Sequence, residues 1–526
     1  MRWTMRRFGL GSSQEAVART QRMCAVMLDT KGPYEVTVKR DPATPRPRGG
    51  GPDASPDDDV AGGPAPLSIA ADQTVVLAGD DEAEWEAAHP SVLPLSDAGF
   101  LACLAPGDLV HVARYLASGM ERASLFLEVQ EVTHARAVCR ALTPAVLGGL
   151  VTVTRAAPAP DCAATACAAE AEEREPPPLP SCLCEEDREW LSAFARPSHA
   201  VDFVALSHCE SGAQVAEARA FLRSIGMRET RVLAKVETRA ALRDFEAILT
   251  EADGIIVSRG NLGMAVPIEK VARLQKEIVR RCNFAGKLAV VTRIFDSMAD
   301  APRPTRAEAT DVANAVLDGV DAFMLGAETV RGLFPVETLS CVLAVCAEAE
   351  RVFHHGKFFR EMMDAAGMPA IGPGVTGMSS RDAMASTLAR VAEKTGARLI
   401  VIFTRSGRHA AAVAKWRPNV PVLALFPPTL AADSGVRWAI GGVSACRAEL
   451  LRRGVIPMLA DPRDGLSEDA MLRSALHFAE HTAGLVSAGD VVCVSHKLRQ
   501  DISISVLHVG DGDPAALSTS GACLVS

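Results

Sequence analysis

Between Val232 and Glu337 the chain repeats one pattern, a short apolar run followed by a helix-like stretch and another apolar run. The runs open VLAKVE, GIIVSRGNLG, LAVVTR and DAFMLGAE, at intervals of roughly 20 to 35 residues, with RPTRAEATDVANAVLDG before the last of them. Strands alternating with helices at this spacing are βα units, and they predict a parallel sheet.

The helices mark their own ends. Pro267 is expected as a first helical residue, Val271, Leu274, Ile278 and Cys282 follow at helical spacing, and Gly286 supplies a left-handed stop. Thr305 and Glu308 form a Thr-x-x-Glu capping box, and Gly319 closes that second helix.

The polar residues fall where the strands end. Lys235 and Glu237 close the first run, Gly260 and Asn261 follow the second, Thr292 and Arg293 the third, and Glu328 lies just past the fourth. An open doubly wound sheet concentrates its site at one crevice, whereas a barrel gathers groups from consecutive strand ends, so the pattern favours a (β/α) barrel. About six of the eight strands of a full barrel can be counted, ending near Asp29, Ser207, Glu237, Gly260, Thr292 and Gly326, with the shortage at the front.

Elsewhere the pattern changes. Arg40 to Pro66 is rich in Pro, Gly and Asp and is expected to be disordered. TVVLAG, LVHVARYL, LFLEVQEV and LVTVTR alternate with turns rather than helices and predict a small β domain, and from about Arg381 helices and strands alternate again as a separate open α/β domain. The expected organisation is a barrel remnant at 1–33, an inserted β lid domain with disordered insertions at 34–180, the catalytic barrel at 181–355 and the C-terminal α/β domain at 356–526.

Composition excludes several classes. A net charge of −9 over 526 residues argues against a nucleic-acid coat. No apolar run approaches the roughly 20 residues of a membrane helix, so no membrane partner is expected. The 14 cysteines are scattered, and several fall inside strand or helix patterns, so they read as reduced thiols. Cys162, Cys167, Cys182 and Cys184 match no common zinc spacing. The start MRWTMRRFGLGSS is arginine-rich and free of acid like a transit peptide, but it is short and lacks a Ser-rich continuation, so a cytoplasmic location is expected.

These residues also resemble a known family. LAKVET, SRGNLG, RCNFAGK, PRPTRAEATDVANAVLDG and LGAET look like the catalytic barrel of pyruvate kinase in its plant and green-algal cytosolic form, and LDTKGP at Leu28 to Pro33 and DFVALS ending at Ser207 belong to the same pattern. The resemblance covers most of Cys24 to Asn314 apart from an irregular middle, and continues more loosely to the carboxyl end. It implies a (β/α)8-type TIM barrel with incomplete front strands, an inserted β domain that closes over nucleotide, and a C-terminal open α/β domain. The implied reaction is glycolytic phosphoryl transfer from phosphoenolpyruvate to ADP, giving pyruvate and ATP, with Mg²⁺ and K⁺ as cofactors. The implied assembly is a homotetramer or a hetero-oligomer with related subunits.

Carried over residue by residue, the resemblance makes Lys235 the cation beside the transferring phosphoryl group, and Glu237 and Asn261 the Mg²⁺ ligands. Gly260 and Asn261 would offer backbone N–H groups to the substrate carboxylate, and Thr292 a hydroxyl near the enolate. Ser207 stands between an active-site hydroxyl and a structural cap. Asp29 and Thr30 would bind K⁺ through a carboxylate and a carbonyl.

The chain departs from the family at several points. Tyr34, Glu35 and Val36 replace its usual residues near the nucleotide, and Asn261 stands where animal and bacterial members have Asp. The family's two front strands, Thr-Ile/Leu-Gly-Pro-Ser and Arg-x-Asn-Phe-Ser-His-Gly, are not intact here; Arg7 and Phe8 are at most a scrap of the second, with Gly9 and Gly11 where Asn and Ser are expected. The alternative is therefore a catalytically impaired, pyruvate kinase-like subunit with a structural or regulatory role. A different Mg²⁺ barrel enzyme, such as a carbon–carbon lyase, fits the long phosphate-transfer pattern less well.

Overall fold

The computed structural model describes residues 23–33, 35–38, 67–79, 91–114, 124–147, 151–156, 181–195, 201–367, 378–432, 438–461, 463, 467–498, 501–510 and 518–523. The Arg40 to Pro66 stretch lies outside them, as do Arg7, Phe8, Gly9 and Gly11.

Six short strands form the central parallel sheet: β1 (Met27–Asp29), β2 (Phe203–Leu206), β3 (Arg231–Val236), β4 (Gly254–Val257), β5 (Leu288–Thr292) and β6 (Ala322–Met324), each beside the next. Their side chains alternate between two cores, as the pleat requires. Val204, Val232, Ala234, Ile255, Val257, Ala289 and Val291 face the helices. Phe203, Ala205, Leu233, Ile256, Leu288 and Val290 face inward. Because both faces are covered, the strands read as continuous apolar runs. Met27 of β1 and Ala322 and Met324 of β6 pack against the same inner cluster, so the sheet curls until its two edges share one core. Among the described residues no strand joins β6 to β1, and the barrel is represented by these six strands.

The covering helices include α1 (Glu185–Phe194), α2 (Gly212–Ser224), α3 (Arg259–Ala265), α4 (Ile268–Ala285), α5 (Arg306–Leu317) and α6 (Pro335–Arg351). Pro267 is not the first helical residue of α4. Its ψ of 133° is extended, so it caps the helix and Ile268 begins it. Gly286 ends α4 at φ +67°. The capping box is formed: Glu308 N–H donates to Thr305 Oγ1 at 3.2 Å and Thr305 N–H donates to Glu308 Oε2 at 2.7 Å.

Between β1 and β2 the chain builds a seven-stranded sheet running from Glu35–Thr37 through Val151–Ala156 and Leu109–Arg114 to Val92–Pro94. It has its own core, including Val75, Leu77, Leu125, Leu127 and Val153. The C-terminal unit is another sheet, in which β7 (Leu399–Phe403), β8 (Val422–Phe426), β9 (Val455–Leu459) and β10 (Val491–Leu498) are parallel, and β11 (Asp501–His508) and β12 (Ser518–Cys523) add antiparallel.

This last unit seals the amino end of the central sheet. Ala448 and Leu451 complete the inner cluster. Around them arginines meet groups just before or at the starts of the strands. Arg417 Nη1 lies 2.8 Å from Asp321 Oδ1, Arg447 Nη2 lies 3.0 Å from Asp202 Oδ1, and Arg231 Nη2 lies 2.7 Å from Glu449 Oε1. Arg417 also donates to Asn283 Oδ1 at 3.0 Å and to the Gly319 carbonyl at 2.8 Å. Burial opposes a charge on Asp321, but the Arg417 guanidinium outweighs it and holds the carboxyl below its usual range.

Breaking a buried pair leaves the surviving charge uncompensated. Arg417→Met is expected to cost about 3–5 kcal/mol of stability. Urea unfolding followed by tryptophan fluorescence checks this, since Trp416 is buried beside the substitution; an unchanged midpoint would contradict it.

Candidate active site

The carboxyl ends of β1 to β5 face away from the arginine seam, and the candidate residues gather there. Asp29 ends β1, and its Oδ1 lies 2.6 Å from Lys235 Nζ. The same ammonium donates to Ser207 Oγ at 3.1 Å. Ser207 is joined twice to Thr30: its N–H donates to Thr30 Oγ1 at 3.0 Å and its hydroxyl donates to the Thr30 carbonyl at 2.6 Å. Asp29, Thr30, Ser207 and Lys235 thus form one connected group from three neighbouring strands.

The turn after β1 is fixed from outside the sheet. The buried Asp187 carboxylate on α1 accepts from Lys31 N–H at 2.8 Å and from Gly32 N–H at 3.0 Å. Gly32 has φ +73°, and a Cβ there would lie 3.1 Å from the Ser207 carbonyl oxygen, so both conformation and space call for glycine. Acids near the start of a helix read as dipole-favoured surface charge, and this role of Asp187 carried no sequence signal of its own.

Glu237 lies two residues beyond Lys235, just past the end of β3. Its Oε2 accepts from His208 N–H at 2.6 Å and its Oε1 from Asn261 Nδ2 at 2.8 Å. Burial works against its charge, yet His208 and Lys235, with the His208 N–H, outweigh it and hold the carboxyl at about 2. Burial lowers the pKa of His208 itself. For Asp29, burial outweighs the neighbouring Lys235 ammonium and leaves the carboxyl above its usual range.

Gly260 and Asn261 lie in the first turn of α3. Thr292 ends β5; its hydroxyl is 3.4 Å from the Val257 carbonyl, and its own carbonyl accepts from Arg259 Nε at 2.9 Å. Arg259 also pairs with Asp311. Thr292 thus stands beside α3, one strand further from Lys235 than Asn261 does. Glu328, beyond β6, is fully buried and accepts from Gly326 N–H at 2.9 Å, and burial raises its carboxyl.

His208 looks like an isolated histidine in the chain, but the fold sets it against Glu237, with Nδ1 3.6 Å from Oε2. The strand-to-helix turn from Thr404 to Arg408 is a simple helix start: Gly407 N–H donates to Thr404 Oγ1 at 3.1 Å, and Glu449 packs so close that a Cβ on Gly407 would strike its carboxylate.

A recessed ammonium beside a carboxylate and an amide, at the carboxyl end of a curled parallel sheet, suits a metal-assisted transferase acting on anionic substrates. Comparison with known proteins gives the family. Residues 178–339 match pyruvate kinase, barrel domain, and residues 382–507 match pyruvate kinase, alpha/beta domain. The chain is 38% identical over 502 residues to pyruvate kinase 2, cytosolic, of Oryza sativa, covering 94% of this chain and 85% of the relative. It is 26% identical to the solved pyruvate kinase of Cryptosporidium parvum, covering 94% and 87% of the two chains with a TM-score of 0.70. A structure of that enzyme in complex with ADP matches at 25% identity, a TM-score of 0.70 and coverage of 94% and 86%. The chain belongs to the pyruvate kinase family and is a phosphotransferase.

Glu237 also generates a pH dependence. Its folded pKa lies below the ordinary 4.5, so the stability it contributes is present above about pH 5 and is lost as pH falls toward about 2. Over that window the wild type is expected to lose stability more steeply than Glu237→Gln, as read from urea midpoints at each pH; parallel curves would contradict the assignment.

Proposed function

We propose that Lys235, Ser207, Gly260, Asn261 and Thr292 form the site at which phosphoenolpyruvate passes its phosphoryl group to ADP, with Mg²⁺ held by Glu237 and Asn261 and K⁺ by Asp29 and Thr30. The observation that carries this reading is the placement of Lys235: its side chain is 12% exposed, with its ammonium 2.6 Å from Asp29 and the Glu237 carboxylate on the same strand end.

The donors suit the ions. Mg²⁺ prefers hard oxygen ligands. Glu237 is held ionised, and Asn261 spends its amide nitrogen on Glu237, so its oxygen is the atom left for a cation. Asp29 and Thr30 offer a carboxylate and a carbonyl for K⁺. When bound, these cations neutralise charge on the facing phosphates.

The protein groups do the rest. As the bond from phosphorus to the enol oxygen breaks and a bond to a terminal ADP oxygen forms, negative charge spreads over the transferring group. Lys235 stabilises that charge without giving up its proton. Gly260 and Asn261 orient the substrate carboxylate through their backbone N–H groups. Thr292 places a hydroxyl near the enolate, which is protonated at carbon to give pyruvate. Ser207 holds Lys235 to the turn that carries Asp29 and Thr30.

The rice relative is named as cytosolic, and we place this chain in the cytoplasm on that likeness. Val336, Leu339 and Leu343 on α6 are exposed at 71%, 50% and 60%, an apolar stripe that supports assembly as a homotetramer or with related subunits.

Lys235→Met is expected to lower kcat by about 10²- to 10³-fold, the usual loss when one donor to a charged transition state is removed. Asn261→Asp adds a negative ligand, so half-maximal velocity is expected at lower Mg²⁺. Pyruvate formation from phosphoenolpyruvate and ADP in the presence of K⁺, followed across a Mg²⁺ titration, checks both; unchanged turnover in Lys235→Met would overturn the proposed site.

A further inference from the structure

We propose that His208 is a positioning residue for the divalent-metal site: its left-handed backbone aims an N–H at Glu237 and sets that carboxylate before any cation arrives. The inference rests on the reading of Glu237 as a Mg²⁺ ligand.

The backbone is the first argument. His208 has φ +52°, a region that a non-glycine residue occupies only when its surroundings hold it there. The consequence of that conformation is a 2.6 Å hydrogen bond from His208 N–H to Glu237 Oε2. An ordinary extended or right-handed backbone at this position would turn the N–H elsewhere.

The surroundings supply the holding force. Ser207, one residue earlier, is tied to Thr30 by both its N–H and its hydroxyl. The imidazole, 5% exposed, lies against the Gly32 turn: a Cβ on Gly32 would be 3.3 Å from His208 Cδ2. Its Nδ1 stands 3.6 Å from Glu237 Oε2. The ring is thus a wedge between the turn after β1 and the carboxylate after β3.

The other Glu237 oxygen accepts from Asn261 Nδ2 at 2.8 Å. Glu237 is therefore gripped at both oxygens, from the loop after β2 and from α3. Donors that fix a metal ligand from behind raise affinity by orienting it beforehand. The dipeptide Ser207–His208 also joins the two proposed cation sites, since Ser207 binds Thr30 and His208 binds Glu237.

The test uses Mn²⁺ as a spectroscopic substitute for Mg²⁺ and the full chain. Free Mn²⁺ is measured by electron paramagnetic resonance in titrations of the wild type, Glu237→Gln, His208→Val and His208→Asn. Neither His208 variant has an imidazole, but asparagine tolerates the left-handed region and valine does not. His208→Val is expected to bind Mn²⁺ about 10-fold more weakly, while His208→Asn stays within about 3-fold of the wild type. If His208→Val does not fold, as judged by circular dichroism, His208→Ala takes its place, with the same order relative to asparagine. Equal affinities for valine (or alanine) and asparagine variants overturn the proposal. Glu237→Gln separates the two levels: unchanged Mn²⁺ binding there defeats the metal-site reading itself, whereas its loss with undiminished binding by His208→Val defeats only the role of His208.

Discussion

The ion pair between Lys235 and Asp29, at 2.6 Å, joins β3 to β1 across β2. β1 is only three residues long and stands at the edge of its sheet, so its backbone pairing alone gives it little hold. The side-chain tie at its carboxyl end, with the Ser207–Thr30 hydrogen bonds and the Asp187 clamp, fixes the turn that follows. Burial pushes the Asp29 carboxyl toward its neutral form and the Lys235 ammonium opposes that, so the charge on Asp29 leans on Lys235. The groups proposed to meet substrate and cations are therefore also what holds the front strand in register.

The opposite end of the sheet is solved differently. A curled sheet of six strands has an apolar interior that must be closed, and the C-terminal unit closes it with Ala448 and Leu451. Buried charge surrounds that plug: Asp321 is 2% exposed and Arg417 7%. Such pairs offset their desolvation only when fully hydrogen-bonded. Asp321 meets this condition through Arg417 and Ala289 N–H at 3.0 Å, while Arg417 pairs both terminal nitrogens, with Asp321, Asn283 and the Gly319 carbonyl, and leaves its buried Nε without a partner. One end of the sheet is thus sealed by the neighbouring domain, and the other is left open for chemistry.

Much of this is legible in the sequence because it is local. The apolar runs mark β1 to β6, since parallel strands covered on both faces cannot hide their composition. Gly286 and the Thr305–Glu308 box mark helix ends, and Lys235, Glu237, Asn261 and Thr292 are found by standing at or just past strand ends. Pro267 shows the limit of such rules, because proline fixes φ but leaves ψ free to be extended. What the sequence conceals is contact between distant segments. His208 and Glu237 are 29 residues apart, Asp187 and Gly32 are 155 apart, and Arg417 and Asp321 are 96 apart. No periodicity pairs residues at such distances, and the left-handed turn at His208 has no glycine to announce it.

The proposed site puts a divalent cation between Glu237 and Asn261, beside Lys235. The most direct measurement is a crystal structure of the full chain grown with Mn²⁺, phosphoenolpyruvate and K⁺, phased for the anomalous signal of manganese. An anomalous peak is expected at ligand distance, about 2.0–2.2 Å, from a Glu237 carboxylate oxygen and close to the Asn261 amide oxygen, with the substrate phosphate next to the Lys235 ammonium. A peak at other carboxylates, with Glu237 still bound only to His208 and Asn261, would contradict it.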